Sequence, residues 1–342
     1  MSKKQATIQD IAKALNITAS TVSRALNDHP KISSQTKQLV WDTARELQYR
    51  PNTIASNLRK GKANTIGMIV PRINRHFFSN VITGVESILN PAGYTLIICQ
   101  SEERYEKEIE NVETLIANRV GGILISISVE THEVKHLHKA INAHIPIVMF
   151  DRVSNKMNVN KVENDDEAGS YETAIHLIEQ GYKDFLWMGG PRTSSIYRNR
   201  FNGYKKALEE NNIDLNKMKC FEATPVLQVA YNYMKELIDN KNIPEVVFAT
   251  SDYMAMGVLQ ACQDNGVKVP EDIAVTGYSN EPFAELIHPK LTTVEQYSEE
   301  MGKAAANLLL EQLNSNSDEF IPRKIVLKPK LIIRETSIKK NI

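Results

Sequence analysis

Cysteine is scarce: Cys99, Cys220 and Cys262 lie far apart in 342 residues, an odd count with no CxxC pair. That fits a reducing cytoplasm in which the thiols are buried or idle. Long hydrophobic runs are missing too, since no stretch reaches the roughly 18 apolar residues of a membrane span. The start, MSKKQATIQD, has a basic pair with no apolar run behind it and is no secretory signal. A cytoplasmic location away from membranes follows. There is no GxGxxG, Walker loop, GxSxG or Cys/His pair, and Gly121-Gly122 and Gly189-Gly190-Pro191 read as turns at strand ends. No cofactor and no catalytic residue is expected.

Net charge is absent as well, but the average hides a split. Residues 1–62 carry eleven Lys/Arg against four Asp/Glu, a net of +7, and the remaining 280 carry 30 against 37, a net of −7. A small phosphate-seeking head on an acidic body is implied. The length suggests about two or three domains, and 42% apolar residues suffice for a large core.

The head reads as three short helices. Thr7 caps the first, with Asp10 three residues on and Ile8, Ile11, Ala12 and Leu15 on one stripe. Asn16 tolerates the left-handed corner of a helix-turn-helix. Thr18 caps the second helix, whose Val22, Ala25 and Leu26 face inward. Ser33 or Ser34 begins the third, with Val40, Ala44 and Leu47 inward, and Arg50-Pro51 stops it. From Thr65 the texture changes. TIGMIV, YTLIIC, VGGILI, IPIVMF, FLWMG, EVVFAT and DIAVTG are buried-strand runs. Amphipathic segments near 79–90, 103–117, 131–142, 166–180, 200–211, 227–240, 253–265 and 297–313 alternate with them. This is an α/β pattern with parallel sheets covered on both faces, and its span suits two lobes.

The second helix carries the sharpest chemistry. Burying Val22, Ala25 and Leu26 turns Ser20, Ser23, Arg24 and Asn27 outward, with Ala19 at the entry turn. Arg24 suits a bidentate contact to guanine, and Ala19 suits a thymine methyl. Thr7 and Thr21 stand where hydroxyls reach phosphates, which set register without reading sequence, and the capping Thr18 counts with them among the DNA-binding residues.

TIQDIAKALNITASTVSRALND followed by YRPNTIASNLR resembles the head and hinge of the LacI/GalR family of bacterial transcription regulators. FDR at 150–152, RFNGY at 200–204, TSDYMAMG at 250–257, VPEDIAVTGY at 269–278 and LTTVEQ at 291–296 extend the resemblance over nearly the whole chain. It implies an all-α helix-turn-helix head (1–50), a hinge helix (51–62) and an α/β periplasmic-binding-protein-like body (63–342) of two doubly wound parallel-sheet lobes. The first lobe would hold about 63–161 and 292–323, the second about 162–291 and 324–336, with crossings near 161, 291 and 323. The implied protein is a repressor that binds a palindromic operator as a homodimer, controlled by a sugar or sugar derivative between the lobes. Leu58 would wedge into the minor groove, with Ala55 nearby and Asn52 near the backbone.

Ligands of open α/β sheets sit beyond the carboxyl ends of strands. That rule points to Phe77 and Phe78, Asp151 and Arg152, Ser251 and Asp252, and Ser279, with Arg200 from RFNGY. Aromatic faces with hydroxyl, carboxylate and guanidinium groups suit a polyhydroxylated ligand. Asp252 equally suits a helix N-cap, Asp151 a crossover, and one of the Phe residues the core. Two departures from the family stand out: Ser279 replaces a frequent Asp, and Ala19-Ser20 replaces two long side chains. No leucine-rich heptad tail follows LIIRET, which favours a dimer over a tetramer.

His132-Glu133-Val134-Lys135-His136 matches the HExxH zinc signature. A buried stripe of Val134, Leu137 and Ile141 would turn both histidines to solvent, and no third ligand follows, so no metal is expected. The rival functions are an exported sugar-binding protein, which needs a signal peptide, and a hydrolase built on HEVKH.

Overall fold

The computed structural model describes residues 6–49, 63–315 and 320–339. The expected hinge, with Asn52, Ala55 and Leu58, lies outside them. The chain divides into two compact units, Met1–Ala63 and Asn64–Ile342.

The head consists of α1 (Ile8–Leu15), α2 (Ala19–Leu26) and α3 (Ser34–Glu46). Thr7 and Asp10 form a reciprocal capping box, and Asn16 ends α1 in the left-handed conformation at φ 52°. Thr18 and Ser33 cap α2 and α3, each such cap contributing about 1 kcal/mol. Ile11, Val22, Ala25, Val40 and Ala44 close a small core. Leu47, expected inside, is exposed, because α3 stops at Glu46 and the chain turns away at Gln48, φ 53°.

The body is built on two parallel sheets. The first orders its six strands as β11-β5-β4-β3-β1-β2: β1 is Thr65–Val70, β2 Thr95–Gln100, β3 Gly122–Ile125, β4 Ile147–Phe150, β5 Asn160–Asn164 and β11 Lys324–Leu327. Helices α4 (His76–Leu89) and α12 (Ser298–Asn314) cover one face, and α5 (Tyr105–Ala117) and α6 (Lys135–Asn142) cover the other. Gly84 and Gly302 let α4 and α12 touch backbone to backbone: a Cβ on either would stand 2.1 Å from the carbonyl oxygen of Glu299 or Val81.

The second sheet runs β7-β6-β8-β9, where β6 is Phe185–Gly189, β7 Lys219–Glu222, β8 Val246–Ala249 and β9 Ala274–Thr276. It lies between α7 (Asp166–Glu179) with α8 (Ser195–Glu210) and α9 (Leu227–Asp239) with α10 (Asp252–Asp264). The short helix α11 (Phe283–Leu286) follows β9. Trp187 is fully buried and stacks on Phe248 at 5.2 Å.

Three chain segments link the lobes. β5 and β11 run side by side, and the Asp165 amide donates to the Leu327 carbonyl at 2.9 Å. Between β9 and α12, β10 (Thr293–Glu295) pairs antiparallel with β12 (Lys330–Ile332). Residues 162–164 and 324–327, expected in the second lobe, are strands of the first sheet, so those crossings come a few residues later. β5 is polar and alternating, and reads as a link until its neighbours are known.

HEVKH departs from its expected orientation. The helix begins only at Lys135, His136 is buried, and Ile141 is exposed. His136 Nε2 lies 2.8 Å from Glu108 Oε1, and Glu108, fully buried, also accepts from Ser128 and Thr131. Among the described residues no cluster of three metal-ligating side chains occurs, and no helix is long and apolar enough to cross a membrane.

Candidate ligand cleft and nucleic-acid interface

On the head, Thr7, Thr18, Ala19, Ser20, Arg24 and Asn27 are exposed, while Thr21 and Ser23 are half-buried. The cap chemistry of α2 occupies some of them. Thr18 Oγ1 accepts from the Thr21 amide at 3.2 Å and lies 2.8 Å from Ser20 Oγ and 2.9 Å from Thr21 Oγ1. Asn27 donates back to the Ser23 carbonyl at 2.8 Å. Thr7 donates its hydroxyl to Asp10 at 2.7 Å. Ala19 and Arg24 have no such internal side-chain bond among the described residues. A helix opening on small residues, with Arg24 outward in its last turn, presents a groove-sized surface carrying a guanidinium fork.

In the body the carboxyl ends of both sheets meet over a cleft of about 330 Å³. Phe77, Phe78, Asp151, Arg152, Arg200, Ser251, Asp252 and Ser279 all line it. Phe77 and Phe78 open α4 and pack edge to face at 5.1 Å, serving the core and the cleft at once. Ser251 is the N-cap of α10, its Oγ accepting from the Met254 amide at 3.3 Å. The cap role considered for Asp252 therefore belongs to its neighbour. Asp252 instead accepts from Thr293 Oγ1 at 2.5 Å and from the Glu281 amide at 2.7 Å.

Arg200 is held from within. Its Nε donates to Asp166 Oδ1 at 2.8 Å, its Nη1 donates to the Thr250 carbonyl at 2.8 Å, and its guanidinium stacks 3.7 Å above the Tyr278 ring. Burial works against the charge on Arg200, but Asp166 together with Tyr278 and Tyr197 outweighs it and raises the guanidinium's pKa. Arg152 behaves alike: burial opposes its charge, and Glu103, accepting from Nη1 at 2.5 Å, prevails together with Tyr197 and Asp151.

Three of the cleft carboxyls are pushed toward their neutral form, whereas at Glu103 burial is outweighed by Arg152, which holds it below the usual carboxylate range. Burial raises Asp151 to about 6 against the pull of Arg152, although Ser126 donates to it at 3.1 Å. Burial likewise raises Asp252 to about 6, and burial with the nearby Asp252 charge raises Glu281 to about 7. Such groups can donate or accept near neutral pH. The rim is conformationally strained: Asp151 sits at φ 58° and Ser279 at φ 122°. The strain at Ser279 is held by its amide on Val294 (3.0 Å) and its hydroxyl on Gln296 (2.9 Å).

Several cleft residues escaped the sequence reading. Arg72 and Arg75 follow β1 and were open to the strand-end rule; Arg75 stacks 3.7 Å over Tyr253. Tyr197, one turn before Arg200, shares its face of α8. Glu103, Glu222, Glu281 and Gln296 stand in loops or on short strands that no periodicity marks.

Residues 7–52 match the family described as bacterial regulatory proteins, lacI family, and residues 174–337 match a periplasmic binding protein-like domain. The HTH-type transcriptional repressor PurR of Vibrio campbellii is 33% identical over 336 residues, 98% of this chain and all of that protein. The lac repressor dimer bound to operator and the anti-inducer ONPF superposes with a TM-score of 0.85 at 23% identity, covering 98% of this chain and 100% of that one. A LacI family transcriptional regulator from Enterococcus faecium with bound ribose gives a TM-score of 0.73 at 26% identity over 81% of this chain and 100% of that one. By its full-length relatives, its head and its two-lobed body, the chain belongs to the LacI family of bacterial regulatory proteins and is a DNA-binding transcriptional repressor of that family.

Proposed function

We propose that this repressor is a cytoplasmic homodimer on a palindromic operator, and that a sugar or sugar derivative in the body cleft sets its operator affinity. The observation that carries the effector class is the composition of the cleft. Carboxyl groups of Asp151, Asp252 and Glu281 and guanidinium groups of Arg75, Arg152 and Arg200 line the cleft together with Phe77, Phe78 and Tyr197. Paired acceptors and donors beside aromatic faces suit vicinal hydroxyls on a small ring. The ribose in the Enterococcus faecium relative supports the same class.

In this reading α2 enters the major groove, Arg24 and Ala19 meet base edges, and the hydroxyls of Thr7, Thr18, Ser20, Thr21 and Ser23, with Asn27, approach phosphates or base edges. Asn52, Ala55 and Leu58 engage the operator centre from the hinge. The dimer is supported by half-exposed Ile97 and Ile98 on edge strand β2, with exposed Ile73 beyond β1, and by the dimeric state of the lac repressor. The lobe boundaries, the cleft and the operator are coupled by linkage: an effector with unequal affinity for two lobe arrangements shifts operator binding by that difference.

Calorimetric titration of the full chain with ribose, other pentoses and hexoses, and with a purine base as a flat ligand without ring hydroxyls, tests the effector class. A mobility shift on the operator, with and without the ligand that binds, then gives the direction of control. Binding of a sugar that changes operator affinity is the expected result. Binding of the purine base alone would overturn the effector class while leaving the cleft as the site.

A further inference from the structure

A second cavity, of about 590 Å³, opens beside the first and shares Val129 and Arg152 with it. One wall comes from the loops after β3 and β4; the other is the start of α8, residues Thr193 to Asn199. Ser194 is the N-cap of this 16-residue helix, yet its side chain makes no capping bond. Its Oγ is buried with no hydrogen-bond partner, in a residue only 8% exposed. Arg152 Nε, in a residue 7% exposed, makes no hydrogen bond either. Each wall of the cavity thus holds one buried polar atom without a hydrogen bond; Arg152 Nε has only the Asp151 carboxylate 3.9 Å away, and the Ser194 hydroxyl has no polar partner at all.

The charged part of the lining is mostly cationic. Arg198, Lys156 and Lys324 join Arg152, and Glu163, the one carboxylate among the lining residues, is paired with Lys324. Arg198 reaches only two backbone carbonyls, at 3.3 and 3.4 Å, so its fork is weakly committed. A helix N-terminus presents orphan amides and a positive dipole end.

We propose that this cavity is a phosphate site that adjoins the effector cleft but has donors of its own on α8, whichever effector the cleft takes. The first amides of α8 and the Ser194 hydroxyl donate to the phosphate oxygens, Arg198 supplies the charge, and Arg152, whose Nη1 is already on Glu103, adds its unbonded Nε as a donor. The ligand is a phosphate dianion, either free inorganic phosphate or the monoester of a small metabolite. Because its donors come from both lobes, an occupied site favours the lobe arrangement that brings the α8 start and Arg152 together.

The test is calorimetry on the full chain at constant ionic strength, titrating inorganic phosphate, then ribose 5-phosphate, into wild type, Arg198→Ala and Ser194→Ala. Arg198 is exposed, so its variant keeps the fold; thermal melting checks both variants. Arg198→Ala is expected to weaken phosphate binding about ten- to a hundredfold, the ratio of a lost charge-assisted hydrogen bond, and Ser194→Ala by a smaller factor in the same direction. Phosphate binding that persists when the protein is saturated with ribose supports separate sites. Binding of ribose 5-phosphate alone, cut by Arg198→Ala, assigns the site to a monoester. The proposal is overturned if neither ligand binds below about 10 mM, an interaction of under roughly 3 kcal/mol, or if both variants bind as wild type does. Ribose titration of Arg198→Ala, expected unchanged, keeps a failure of the sugar reading distinct.

Discussion

Replacing Arg200 by Ala strips the body of a buried cation whose partners are all inside the protein. Two hydrogen bonds with a charged donor are lost, to Asp166 and to the Thr250 carbonyl, each contributing about 1.5–3 kcal/mol. The stack on Tyr278 goes with them, about 0.5–2 kcal/mol. Asp166, 3% exposed, keeps its carboxyl with no countercharge. Breaking a buried pair in this way costs about 3–5 kcal/mol, a large share of the 5–15 kcal/mol that holds a domain. The cost has a sign in pH. Burial already raises Asp166, opposed by Arg200, so removing Arg200 raises it further. The folded state then holds a proton that the unfolded state releases, and stability falls as pH rises from about 4 toward the raised value. Urea unfolding followed by the fluorescence of Trp187, buried in the same lobe, should show the larger loss at pH 8 and a smaller one at pH 5. Asp166→Asn added to Arg200→Ala should recover part of the loss and flatten its pH dependence. A loss under about 1 kcal/mol, equal at both pH values, would mean that the pair does not form in solution.

Arg24→Ala should cost about 1–3 kcal/mol on the operator and relax one base position; equal losses on operator and random DNA in a filter-binding titration would reduce Arg24 to a phosphate contact. Gly84→Ala drives a methyl against the Glu299 carbonyl and should lower body stability by about 1–3 kcal/mol or more, visible as a lower melting temperature with the head's unfolding unchanged. Glu281, raised from 4.5 to about 7 by burial, loses stability for the fold as pH climbs between those values and does not regain it above. Glu281→Gln should therefore stabilise the effector-free protein by about 1–3 kcal/mol at pH 8 and not at pH 4; a gain that is the same at both refutes the shift.

The head was legible nearly to the residue because its signals are local. Thr7, Asn16, Thr18 and Ser33 act on backbone within four positions. The large strands announced themselves as apolar runs, and the strand-end rule gathered Phe77, Asp151, Ser251 and Ser279 around one cleft before any coordinate placed them there. What escaped depends on distant partners. β5, NKVEN, is a strand because β4 and β11 flank it. His136 is inside because Glu108, 28 residues earlier, offers a carboxylate. Arg200 was legible as a cleft residue, but its partners Asp166 and Tyr278 were not, since no spacing ties them to it.

The three segments that join the lobes are bonded to one another, β5 to β11 and β10 to β12, so they act as a laminated strap. Bending a laminate across its thin direction leaves its cross-links almost undisturbed; twisting or sliding the layers shears every one. Bending across the strap is therefore the motion that its cross-links resist least. On the proposed reading, a molecule lodged between the lobes, in either cavity, would push along that same line and be read as a single scalar, an opening angle. Two chemically unrelated ligands would then add or cancel arithmetically at the operator, and a substitution in the strap would rescale the response to both by one common factor.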